Sequence, residues 1–146
     1  MNDTFYLIDN NVLGKLTSSQ LGSAFFAEYC RVPDEVLYEA GPARAATVRA
    51  LRYPTNVAVL SALQTVMATV AADDIKLVDL FRNKGTADPF LIACALVEQQ
   101  NSADMLIRSE WVVVTDDGAV RHKAQEFGVM WSSSTEFAAL LASSPA

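Results

Sequence analysis

The chain has 146 residues, 51% of them apolar, which suffices for one hydrophobic core but not for two ordinary domains, so residues 1–146 are expected to form a single domain. Eleven Lys plus Arg against 17 Asp plus Glu give a formal charge of −6, which excludes capture of a polyanion by the overall field. Six Gly, five Pro and the absence of any repeat or biased tract exclude a disordered chain and a solenoid.

The first residues contain no basic side chain and flank a short apolar run with acids, so no signal peptide is expected and a cytoplasmic location follows. A strand over 5–8 delivers Asp9 to its carboxyl end, and Asn10 to Gly14 supply turn and helix-start chemistry. Helical character is expected over 18–30. Val32-Pro33-Asp34 restarts the chain with Asp34 as N-cap of a helix over 35–40, which Gly41-Pro42 ends. Two further helices fit 43–52 and 55–72, separated by Tyr53-Pro54. The second carries no charge, but it is interrupted by polar residues and is shorter than the roughly 20 apolar residues of a spanning helix, so no membrane association is expected. A mean hydropathy of +0.20 instead suggests apolar surface covered by another chain.

A second strand is expected over 75–80, followed by a loop, Arg82-Asn-Lys-Gly-Thr86, in which Arg82 and Lys84 are candidate RNA contacts. Asp88-Pro89 opens a helix over 88–99, with Asp88 as a cap and Pro89 at its first turn. The apolar run 111–115 reads as a buried parallel strand stopping at Asp116-Asp117-Gly118. A helix over 119–127, a short strand over 129–131 and a helix over 135–141 complete the chain. Cys30 and Cys94 stand alone and read as small buried residues, Trp111 and Trp131 as core or interface residues, and His122 as part of a solvated helix face. Strands alternating with helices imply an α/β fold with a mostly parallel central sheet of four to five short strands flanked by helices.

Open α/β sheets bind ligands beyond the carboxyl ends of their strands, where Asp9 and Asp116-Asp117 fall. If the helices beginning near Asp34 and Asp88 start at that edge, Glu39 and Asp88 join them, with Glu35 one turn before Glu39 as its rival. So many carboxylates in one place are unfavourable without cations, and an all-oxygen set lacking His and Cys favours Mg²⁺ or Mn²⁺ over zinc. Such ions activate water and neutralise a phosphodiester, so no nucleophilic side chain is needed.

Four segments, Tyr6-Leu-Ile-Asp-Asn-Asn-Val-Leu13, Val32-Pro-Asp-Glu-Val-Leu-Tyr-Glu39, Ala87-Asp-Pro-Phe-Leu-Ile-Ala-Cys-Ala95 and Val113-Val-Thr-Asp-Asp117, resemble in that order the motifs of PIN-domain nucleases. The resemblance spans nearly the whole chain, and the length is similar to that of VapC-like toxins. It implies a PIN-like domain and a Mg²⁺- or Mn²⁺-dependent ribonuclease. It further implies a homodimer held inactive by a small antitoxin. Asp9, Glu39, Asp88 and Asp117 match the family's catalytic acids, with Asp9, Asp88, Asp117 and Asp116 as metal ligands. Asn11 matches a small polar residue that would orient the first carboxylate, and Thr115 would do the same beside the last. Asn10 stands where the family often has Thr or Ser, and Gly118-Ala119 where many toxins have an aromatic, so the choice between Asp116 and Asp117 stays open. Two other classes compete: a PIN-like module that binds RNA or protein without cleaving, and a phosphatase or phospho-acceptor with Asp9 as nucleophile. The latter lacks an Asp-x-Asp pair.

Overall fold

The computed structural model describes residues 3–78, 85 and 87–144. Its centre is the apolar strand β1, Thr4–Ile8, which pairs in parallel with β2, Cys30–Pro33, on one side and with β4, Glu110–Val114, on the other. A two-residue strand β3, Arg52–Tyr53, extends the β2 side, and β5, Met130–Ser132, extends the β4 side. The order is β3-β2-β1-β4-β5, all parallel, so the expected α/β fold with a central sheet and flanking helices is present. Parallel pairing sends every connection across a helical layer, and the carboxyl halves of β1 and β4, Leu7-Ile8 and Val112–Val114, are buried accordingly.

Between β1 and β2 lie α1, Asn10–Leu13, α2, Ser18–Leu21, and α3, Ala24–Tyr29. The single helix expected over 18–30 is thus divided at Gly22-Ser23, because Ser23 accepts the Phe26 N–H and caps a new helix. Cys30 leaves that helix to become strand, buried against β1. Helix α4, Asp34–Ala40, follows β2 directly. Asp34 is not its cap, because Pro33 occupies that position, and its carboxylate instead takes the Arg52 guanidinium at 2.9 and 3.1 Å and the Thr55 N–H at 3.0 Å.

Gly41, at φ 85°, separates α4 from α5, Pro42–Val48, and a 3₁₀ turn at Arg49–Leu51 leads into β3 where helix was expected. Asn56 caps α6, Val57–Met67, shorter than the 55–72 expected. The strand expected over 75–80 does not form at 75–78, and 79 and 80 lie outside the described residues. A turn intervenes: the Asp74 N–H bonds to Ala71 O and the Asp74 carboxylate accepts the Lys76 N–H, so Leu77 and Val78 are buried as loop.

Helix α7, Asp88–Ala103, is the most enclosed helix described, with Leu91, Ile92, Ala93 and Ala95 fully buried; it packs against α6 and the sheet. Helices α8, Gly118–Glu126, and α9, Ser134–Ser143, follow β4 and β5. Both cysteines are free and buried, and burial pushes their thiols up to about 12, as inert core residues should behave. Among the described residues no helix is long and apolar enough to cross a membrane.

Candidate metal centre

The strand register builds the first half of the site. Ile8 is aligned with Val114, so the next residues, Asp9 and Thr115, emerge side by side at the carboxyl edge of the sheet. The Asp9 N–H continues the ladder to Val114 O at 3.1 Å, and the Thr115 N–H does so to Ser132 O at 2.9 Å. Both side chains are buried, Asp9 at 3% exposure and Thr115 at 0%, and the Thr115 hydroxyl donates to Asp9 Oδ2 at 2.8 Å. The same hydroxyl accepts the Asp117 N–H at 3.1 Å, so one atom ties the first acid to the last acidic segment. Burial raises the Asp9 pKa, the Thr115 and Asn10 hydrogen bonds oppose it, and Asp117 and Asp116 raise it further.

Asp88 completes the centre. It is the first residue of α7, where Ala87 is the cap and no side-chain capping bond forms, so helix capping does not account for this buried carboxyl. Burial is the largest cause lifting its pKa to about 8, followed by the charges of Asp9, Asp117 and Glu39. Glu39 lies on the exposed face near the end of α4; local burial of its carboxyl, then Asp9 and Glu35, raise its pKa. Glu35 acts on Glu39 but is not among the charges felt by Asp9 or Asp88, which favours Glu39 of the two candidates.

The adjacent acids of the last segment divide their work. Asp117 caps α8, its Oδ1 accepting the N–H of Ala119 at 2.8 Å and of Val120 at 3.4 Å, yet its charge reaches both Asp9 and Asp88. Asp116 is held by Lys15 and by the Ser134 N–H, and those partners pull its carboxyl down to about 2. It is engaged in joining α1 to the start of α9, and only Asp9 senses it.

Asp88 therefore lies within electrostatic reach of Asp9, Glu39 and Asp117, acids from three other segments far apart in sequence. Among the described residues, however, no three His, Cys, Asp or Glu side chains are gathered into a set that could hold a metal ion as they stand. No known family model matches this chain, and no curated protein matches it either. The geometry and the sequence pattern are thus the basis for a functional reading.

Not every expected site residue sits as foreseen. Asn11 is exposed and makes no hydrogen bond to Asp9 among the described residues; the orienting contact comes from Thr115. Arg82 and Lys84 lie outside the described residues. Three contributors had no motif to betray them. Gly85, at φ 72°, abuts Asp88 Oδ2; Lys15 pairs with Asp116; Arg44 donates to Asn10. Next to Asp117, a cleft of about 440 Å³ is lined by Lys76, Leu77, Gly118, Ala119, His122 and Lys123. A solvated-face reading of His122 gave no hint of that lining.

Proposed function

We propose that this protein is a Mg²⁺- or Mn²⁺-dependent endoribonuclease of the PIN type, the toxin of a type II toxin-antitoxin pair acting in the cytoplasm. The observation that carries the reading is the buried Asp88 carboxyl at the start of α7, lifted to about 8 by burial first and then by the charges of Asp9, Asp117 and Glu39, which come from separate segments. A structural protein gains nothing from such mutual repulsion, whereas a site for hard cations requires it. The donors are all oxygen, as the order Mg²⁺, Mn²⁺ over Zn²⁺ requires.

Asp9, Asp88 and Asp117 would hold the ion, which when bound supplies charge for the scissile phosphate and acidity for the attacking water. Thr115 fixes the Asp9 carboxylate, and the α8 cap fixes Asp117 through one oxygen alone. Glu39, at the exposed lip and with a raised pKa, is suited to accept a proton from water there. Asp116, paired with Lys15, is assigned to holding the site together. Exposed Tyr38, Val57 and Leu60 support an apolar surface shared with an antitoxin or a second copy of the chain.

Purified protein is expected to cut RNA with Mg²⁺ or Mn²⁺ and to stop with chelator, and Asp9→Asn should slow cleavage by about 10³-fold. Equal cutting by the mutant sinks this site. Thr115→Val should leave the fold intact but weaken divalent-ion binding by roughly 10- to 100-fold in a calorimetric titration, because the Asp9 carboxylate loses its orienting donor. An unchanged affinity would reduce Thr115 to a packing residue. A second reading, an RNA- or protein-binding module without catalysis, is favoured by the lack of a gathered ligand set among the described residues. A protein that takes up no divalent ion at millimolar concentration leaves only that role.

A further inference from the structure

Arg44 stands beside the acidic crevice without being consumed by it. From α5 it reaches the start of α1, where Nη1 donates to Asn10 Oδ1 at 3.3 Å. Its guanidinium lies so close over Gly14 that a Cβ there would sit 3.3 Å from Nη1 and 3.4 Å from Nη2. Asn10 directly follows Asp9, so the fork is anchored one residue from the buried carboxylate. Arg44 is not among the charges shifting Asp9, Glu39 or Asp88, so it does not neutralise the acids. Lys15, Arg52 and Lys123 each pair with a carboxylate, whereas exposed Arg44 makes no ion pair with a described residue.

Building on the nuclease reading, we infer that Arg44 anchors an RNA phosphodiester group neighbouring the one to be cut. A guanidinium offers five N–H donors in a planar fork that matches phosphate oxygens, and only one is engaged here among the described residues. Asn10 sets the plane of the fork, and the missing side chain at Gly14 lets it lie flat against α1.

The test is steady-state cleavage of a fluorescent single-stranded oligoribonucleotide by the full chain across a salt series. Arg44→Glu and Arg44→Ala should raise KM about 10-fold with kcat nearly unchanged, and should flatten log(kcat/KM) against log salt by about 0.7. Arg44→Lys should keep the slope while recovering part of the affinity, and Gly14→Ala, which nudges the fork but keeps the charge, should keep the slope and raise KM by less than Arg44→Ala. Arg108→Glu, at the amino edge of β4, makes the same change of charge far from the crevice and should leave KM and slope unaltered. A parent that cleaves while Arg44→Glu matches its KM and slope overturns the Arg44 assignment alone. A parent that cleaves no RNA overturns the nuclease reading, and this inference with it.

Discussion

Asp88→Asn is expected to make the chelator-treated protein more stable at pH 8, by about 2 kcal/mol, while abolishing RNA cleavage. The carboxyl has a folded-state pKa of about 8, raised by burial and then by Asp9, Asp117 and Glu39, against about 3.9 for an unfolded Asp. Between those values the folded state binds more protons than the unfolded one, so its stability is full below pH 4 and falls as pH rises toward 8. The raised pKa values of Asp9 and Glu39 act in the same direction, which steepens the decline. Asp116, pulled down to about 2 by Lys15 and Ser134, acts oppositely, but only as pH falls below 4. Thermal melts at pH 5 and pH 8 should therefore separate in the parent and lie closer together in Asp88→Asn, which keeps only the contributions of Asp9 and Glu39. Adding Mn²⁺ should restore the parent at pH 8 and leave the mutant unmoved. Parallel behaviour of the two proteins would remove Asp88 from the centre.

Gly85→Ala is the second large effect. At φ 72° the backbone is in the left-handed region, and a Cβ would lie 2.3 Å from Leu77 O and 3.1 Å from Asp88 Oδ2. The first contact is with backbone, which cannot swing aside, so about 3 kcal/mol should be lost and the melting temperature should fall by roughly 10 °C. Gly128 has a similar φ of 69° but nothing within 4 Å of its Cβ position, so Gly128→Ala should lose only about 1 kcal/mol. Gly85→Ala should also lower activity at temperatures where it remains folded, since the added Cβ would crowd Asp88 Oδ2; normal kcat in the folded mutant would show that the contact is incidental. The residue also matters because the Asp88 N–H bonds to Gly85 O at 3.1 Å, making Gly85 the hinge on which α7 begins.

What could be seen in the sequence follows from length and period. β1, β4 and α7 announce themselves because each buries a continuous apolar run or a helical stripe. β2 and β3, at four and two residues, are too short to display alternation and exist because β1 pairs with one and β2 with the other. The strand expected over 75–80 came from apolar composition, which a buried loop shares; among the described residues Leu77 and Val78 are enclosed without joining the sheet. Asp9, Asp88 and Asp117 were visible because each follows a strand or opens a helix, whereas Glu39, near the end of α4, was legible only through the spacing of its segment. Their supports were not: the bonds from Thr115 to Asp9 and from Arg44 to Asn10 span 106 and 34 residues, and no local pattern encodes them.

The register of β1 against β4 has a consequence for synthesis. Thr4 pairs with Glu110 and Ile8 with Val114, so the central strand waits for nearly the whole chain before one of its two neighbours exists. Such long-range closure is slow, since the entropy of a large loop is lost before any contact compensates for it. A ribosome-bound fragment ending before Glu110 carries Asp9 and Asp88 but has neither the strand that aligns Asp9 nor the hydroxyl that clamps it. The proposed site consequently assembles only once residues 110–115 have been made, and until then Asp9 and Asp88 lack the strand and hydroxyl that bring them to the sheet edge.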